Sequence, residues 1–279
     1  MSLKSLQLTA LLAALLVPFA ATDDPPANVT DSADDDSNMI VGGAKVNIEE
    51  VPYQVALFRG DSLNCGGTII GPRWILSSYH CVQDLDPANH AVVVGTDKPW
   101  QGARIPVKNI VVPSELFDGA LYDVAMLQLA QSLHYDETVQ CLRLLRSPDA
   151  LVPGKPATIS GFGATRENNL DSPLKAATVS LLAVDKCAKA YPDLMQEQMI
   201  CAGFEKGGVD SCQGDSGGPL VVDGKLAGIV FFGRGCARPN SPGVYMSVPF
   251  FYDWIMNVAR SQKLRDDRKI CGEFTENYT

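Results

Sequence analysis

The ten residues Asp210-Ser211-Cys212-Gln213-Gly214-Asp215-Ser216-Gly217-Gly218-Pro219 hold the densest chemistry in the chain. Glycines on both sides of Ser216 leave backbone N–H groups free to turn toward a reacting carbonyl, and such donors stabilise the oxyanion of acyl transfer. A serine hydroxyl is a poor nucleophile by itself; it needs a histidine general base, itself held by a buried carboxylate. The chain contains three histidines, His80, His90 and His134, and all of them precede Ser216.

That order separates two ways of building such a site. Gly214-x-Ser216-x-Gly218 also fits the nucleophile elbow of α/β-hydrolases, in which the acid and then the histidine follow the serine along the chain. No histidine follows Ser216, so that reading fails. The order His, Asp, Ser remains, and Ser78-Tyr79-His80-Cys81 and Tyr122-Asp123-Val124-Ala125-Met126-Leu127 supply its first two members. With Ile40-Val41-Gly42-Gly43 before them and Phe251-Tyr252-Asp253-Trp254-Ile255 after, the chain resembles the trypsin/chymotrypsin family of serine proteases across residues 40–255. A lone GxSxG is a weak signal; several independent motifs in the family's order are a specific one.

The resemblance implies two six-stranded antiparallel barrels with the active site in the cleft between them. It assigns Ser216 as nucleophile, His80 as general base and then acid, and Asp123 as the carboxylate that holds the imidazole tautomer. It gives the oxyanion hole to the N–H groups of Gly214 and Ser216. His90 and His134 receive no role. Asp210 corresponds to the floor of the trypsin specificity pocket, Ser211 beside it is also trypsin-like, and Gly233 and Gly243 match the small walls that admit a long side chain. A buried carboxylate there favours substrate Arg or Lys, since an uncharged side chain leaves the acid unpaired; an ordinary loop aspartate is the bland alternative. A chymotrypsin-like specificity is disfavoured by Asp210.

Asp215 resembles the family's activation switch: cleavage after Met39 frees the Ile40 amine, which inserts and pairs with Asp215. The implied form is therefore a zymogen. Trypsinogens are cut after Lys or Arg, whereas no basic residue lies between Lys4 and Lys45. Either another protease that accepts Met39 activates the chain, and is then a partner beside protein or peptide substrates and protein inhibitors, or the chain is not activated. Two further departures touch the triad. Tyr79 replaces the usual small residue before the histidine, and Phe231-Phe232-Gly233 replaces Ser-Trp-Gly, removing a serine that supports the buried aspartate. Either Tyr79 donates to Asp123 in its place or Tyr79 packs outward. A serine-protease homologue that works by binding or regulation is the alternative from another class; the intact His80, Asp123 and Ser216 oppose it.

Outside the motifs, residues 1–21 carry Lys4, an apolar run and then small Ala20 and Ala21, the pattern of a secretory signal peptide. Residues 22–39 are Asp-rich, contain proline and lack periodicity, as a solvated acidic pro-segment does. Residues 40–262 form the protease domain and 263–279 a tail. One Lys and six Asp stand in residues 1–39, a charge of −5, which leaves −4 of the chain's −9 for the mature part. That balance gives no basic face for nucleic acid, and the apolar run near the start is too short for a comfortable membrane span. A secreted, extracellular monomer is expected.

Eight cysteines behind a signal peptide indicate disulfides rather than metal ligation. Spacing alone leaves the connectivity open. The resemblance selects Cys65 with Cys81, Cys187 with Cys201, and Cys212 with Cys236; Cys141 and Cys271 are left to pair with each other. No cofactor or metal is expected: the loop 95–101 lacks the paired glutamates of the family's calcium loop, and Pro242 stands where sodium-regulated members carry an aromatic residue.

The elements that must position these groups read as strands. Short β-rich runs bounded by turn residues recur at 54–58, 66–70, 74–77, 91–94, 107–112 and 125–129, and again at 157–161, 178–182, 219–222, 226–232 and 243–248. Regular short strands with Gly and Pro between them favour an all-β architecture. Phe251, Trp254, Ile255 and Val258 share one helical face, so an amphipathic helix closes the domain.

Overall fold

The computed structural model describes residues 40–118, 121–163, 173–262 and 269–273. Met39, the two leading segments and most of the tail lie outside these residues, as does Ala120.

The first barrel closes in the order β2-β3-β4-β7-β6-β5, from β2 (Gln54–Arg59), β3 (Ser62–Gly71), β4 (Trp74–Ser77), β5 (His90–Val93), β6 (Ile105–Val111) and β7 (Ala125–Leu129). The short strand β1 (Ala44–Lys45) lies ahead of it in the chain and joins the second barrel. That barrel uses β8 (Pro156–Gly161), β9 (Lys175–Leu181), β10 (Met199–Gly203), β11 (Pro219–Val222), β12 (Lys225–Phe232) and β13 (Gly243–Ser247). The pairing of β8 with β9 along its length closes the ring, and β1 is added at Ala44↔Ala176. All of these pairings are antiparallel. Helix α1 (Val184–Ala190) follows β9, and α2 (Val248–Arg260) follows β13.

Burial on both faces explains why several strands read as unbroken apolar runs rather than alternations. In β7, Ala125, Leu127 and Leu129 fill the first barrel, while Met126 points the other way into a cluster shared with the second barrel. β4 divides likewise, with Ile75 inside and Trp74 and Leu76 on the shared side. The shared cluster joins Ile70, Trp74, Leu76 and Val124 to Met199, Ile229, Val244 and Met246, and α2 caps it with Phe251, Tyr252, Ile255 and Met256. In α2, Trp254 and Val258 stand half-buried at the flank of the apolar stripe and Ala259 completes its buried centre.

Three elements were absent from the sequence reading. β1 is two residues long, and β10 is a short segment, MICAG, whose small residues give little strand signal. Helix α1 has no side-chain cap and buries only Cys187, so neither cap nor stripe marks it in the sequence. The four cysteine pairs are Cys65–Cys81, Cys141–Cys271, Cys187–Cys201 and Cys212–Cys236, which leaves no free cysteine.

Candidate active site

The two barrels deliver the three triad candidates from different elements. His80 sits in a single 3-10 turn, Tyr79–Val82, directly after β4. Asp123 lies just before β7, and Ser216 in the loop before β11. Registry between β4 and β7, with Ser77 opposite Ala125, sets the histidine turn beside the aspartate. His80 then holds Asp123 at two points: its backbone N–H donates to Oδ1 at 2.7 Å, and Nδ1 lies 2.7 Å from Oδ2. Asp123 is 6% exposed, so the carboxylate depends on these contacts rather than on water.

The Ser216 loop is fastened across the barrel interface. The Gly66 N–H donates to the Ser216 carbonyl at 2.8 Å, the Gly217 N–H to Val230 and the Val230 N–H to Gly218. Gly217 adopts φ +79°, and a Cβ there would run into the Ser77 hydroxyl, so only glycine serves. Ser77 donates to the Gly66 carbonyl and Ser78 to the Val230 carbonyl, while Ser160 donates to Gln54 across the barrels at 2.7 Å. Ser78 was missed from the sequence; its position between β4 and His80 is the only signal it carries there. The Ser216 hydroxyl makes no hydrogen bond to His80 in this structure, as is common for catalytic contacts that tighten only when substrate binds.

Gly214 adopts φ +88°. Among the described residues neither its N–H nor that of Ser216 donates to a protein acceptor, although the intervening Asp215 N–H donates to Cys212. Both N–H groups are thus left without a described protein acceptor, as the donors of an oxyanion hole must be.

Beside Ser216 opens a cavity of about 200 Å³, walled by Ser211, Cys212, Gln213, Phe231, Phe232 and Gly233 among others. Asp210, 2% exposed, lies behind this wall. Its Oδ1 accepts from the Ser211 N–H at 2.9 Å and its Oδ2 from the Ala237 N–H at 3.3 Å. Burial pushes its carboxyl up to about 7, with those two donors opposing the rise. Gly233 and Gly243 border the acid: a Cβ on Gly243 would stand 2.6 Å from Asp210 Oδ1. The Cys212–Cys236 bridge ties the two sides of the cavity wall.

Asp215 is fully buried, and its oxygens accept from the Gly163 and Cys212 N–H groups at 2.9 Å each. Burial pushes its carboxyl up to about 6. A Cβ on Gly163 would sit 2.8 Å from both Asp215 oxygens, so the glycine pair at Gly161 and Gly163 makes the room the acid occupies. Ile40 is buried in the second barrel's core, and Val41 forms an antiparallel bridge to Asp210.

Of the two placements open for Tyr79, donation to Asp123 is not the one seen: its hydroxyl donates to no group among the described residues, and among them His80 alone donates to the Asp123 carboxylate. The ring is half-buried in the 3-10 turn, while Phe231 stacks edge-on against Phe232 at 4.9 Å between ring centres. Cys65, His80 and Cys81 stand close enough to suggest a metal cluster. The two sulfurs form a disulfide and His80 Nδ1 is engaged by Asp123, so that trio offers no ligand set.

A fold of two packed six-stranded barrels with these groups at their junction defines a chymotrypsin-type serine protease architecture. Comparison with known proteins identifies the chain more narrowly. The Trypsin family profile matches residues 40–255. The chain is 39% identical to trypsin eta of Drosophila erecta over 77% of its own length and 88% of that protein. It is 37% identical to anionic trypsin of Canis lupus familiaris, covering 80% and 91% respectively. It is also 41% identical to transmembrane protease serine 9 of Rattus norvegicus, of which it spans only 22%. The chain belongs to the trypsin family and is a serine endopeptidase, a hydrolase that acts on protein substrates.

Proposed function

We propose that this endopeptidase is secreted as a zymogen and, once cut after Met39, hydrolyses peptide bonds that follow Arg or Lys. The observation that carries the specificity is the buried Asp210 carboxylate behind the Ser216 cavity, faced by Gly233 and Gly243. Burial makes that acid costly to ionise, pushing it up to about 7; an incoming guanidinium or ammonium compensates the desolvated charge, whereas an apolar side chain leaves it unpaired.

Chemistry follows from the neighbouring groups. Ser216 Oγ attacks the scissile carbonyl, His80 takes the proton and returns it to the leaving amine, and Asp123 keeps Nδ1 protonated and stabilises the imidazolium. The Gly214 and Ser216 N–H groups bind the oxyanion. Water then attacks the acyl-enzyme in a second round that uses the same base. For activation, Asp215 needs a cation to match its buried charge, and the Ile40 amine freed by cleavage supplies it. A protease other than this one makes that cut, because an Asp210 pocket does not accept Met39. The leader-like residues 1–21 support secretion. Among the described residues no helix is long and apolar enough to cross a membrane.

The test is a Met39→Lys precursor cut with immobilised trypsin, the new Ile40 terminus verified, and Arg, Lys and Phe peptide amides assayed beside a Ser216→Ala control. Turnover of Arg and Lys substrates, absent from the control, is the expected result. A correctly processed, folded protein that turns over none of them overturns the catalytic reading in favour of a binding protein; turnover of Phe over Arg overturns the specificity alone.

A further inference from the structure

Beyond the pocket itself, the rim next to it carries two cations that no described carboxylate neutralises. Arg234 and Arg238 are exposed, and among the described residues no carboxylate pairs with either. Neither side chain is left to wander. The Arg234 guanidinium lies over the Tyr191 ring, 5.1 Å from its centre, and that ring packs edge-on against Phe232 in the cavity wall. Tyr191 is anchored in turn by its hydroxyl, which donates to the Pro242 carbonyl at 2.7 Å. Arg238 folds back over Gly235: a Cβ on that glycine would sit 2.8 Å from the guanidinium carbon. Gly235 lines the same cavity, so both charges frame the mouth that receives the substrate side chain.

The backbone geometry says which substrate residue meets them. β12 pairs with β13 through Phe232, but its pairing with β11 ends at Ile229, so the other edge of Phe231 to Gly233 is open where it passes Ser216. An extended substrate adds to such an edge as a strand. Its side chains alternate, so the residue in the pocket and the residue two positions before it face the same rim.

We propose that Arg234, assisted by Arg238, selects an acidic residue two positions before the Arg or Lys that enters the pocket, making this an enzyme for Asp-x-Arg and Glu-x-Arg sequences and their Lys counterparts. This rests on the specificity reading above and deepens it. Stacking on the Tyr191 ring restrains the Arg234 guanidinium before substrate arrives, which lowers the ordering cost of the ion pair. The chain as a whole is acidic, at −9, so the local sign of the rim is opposite to the global charge.

The experiment compares three peptide amides ending in Arg that differ only at that position, with Asp, Asn or Lys, and a fourth ending in Phe, on the processed enzyme and on Arg234→Gln and Arg234→Gln/Arg238→Gln. Exposed ion pairs are worth about 0.2–1 kcal/mol, so kcat/KM for Asp over Asn is expected to be about 1.4- to 5-fold per arginine, larger against Lys, and to fall toward unity in the double variant and in 1 M salt. Affinity of the same peptides, as Arg-terminated products, for the processed Ser216→Ala protein reads the preference without catalysis. Equal kcat/KM for Asp and Asn peptides, or equal product affinities, with a clear Arg-over-Phe preference overturns the acidic subsite alone. Loss of the Arg-over-Phe preference itself overturns the underlying pocket reading and the subsite with it.

Discussion

His80 grips Asp123 twice, through its backbone N–H at Oδ1 and its imidazole at Oδ2, each at 2.7 Å. One residue thus fixes both the orientation of the acid and its own ring, and among the described residues no other side chain shares the task. Asp123→Asn keeps the shape but presents the wrong hydrogen-bonding partner to Nδ1. It is expected to lower kcat by about 10⁴-fold, the magnitude of that change in the serine-protease template, with the circular-dichroism spectrum unchanged.

Because the Tyr79 hydroxyl has no acceptor among the described residues, Tyr79→Phe is expected to leave kcat/KM for an Arg substrate within about twofold of the parent, as surface changes away from special features stay within ~0.5 kcal/mol. A loss of an order of magnitude would show that the phenol reaches Asp123 during turnover.

With its acid pushed up to about 7 by burial, the pocket should bind an aryl amidine in a pH-dependent way. The cation binds the ionised form, so affinity falls as pH drops below about 7, approaching tenfold per unit, and binding at pH 6 releases close to one proton. Calorimetry in buffers of different ionisation enthalpy measures that proton directly. Asp210→Asn should abolish both the affinity and the release.

Asp215 gives a second pH effect, with a sign set by its raised pKa. In the uncleaved chain the folded carboxyl titrates near 6, and the unfolded one near 3.8. Between those values the folded state holds the extra proton, so the acid's contribution to stability is greatest at the low end and declines as pH rises through the window. Pairing with the Ile40 ammonium after cleavage lowers the folded pKa and removes this decline. Scanning calorimetry should therefore find that processing raises Tm more at pH 7.5 than at pH 4.5; a Tm gain independent of pH would refute the pairing.

Gly243→Ala places a methyl 2.6 Å from Asp210 Oδ1 and 3.0 Å from the Tyr245 hydroxyl. Overpacking of this kind costs about 1–3 kcal/mol, so kcat/KM for Arg substrates should fall by roughly 5- to 150-fold, while the burst of acylation by a small active ester that leaves the pocket empty should persist.

The order His80, Asp123, Ser216 and the glycine-flanked nucleophile are properties of the chain order, and the sequence by itself determined them, together with the all-β class and the closing helix; the small residues opposite Asp210 followed only from the family resemblance. Local patterns sufficed there because turns, caps and apolar runs are encoded by neighbours in sequence. Tertiary structure alone decided the rest. That Tyr79 does not reach Asp123, that Ser78 fastens β12 at Val230 beside the Ser216 loop, that Gly163 hollows the seat of Asp215, and that Arg234 rests on Tyr191 all depend on contacts between residues 43 or more positions apart. Such contacts are set by barrel register and by which side of a strand faces the neighbouring barrel. A single sequence carries no direct trace of either, since the strands between the barrels are buried on both faces and their apolar runs lose the alternation that would reveal direction.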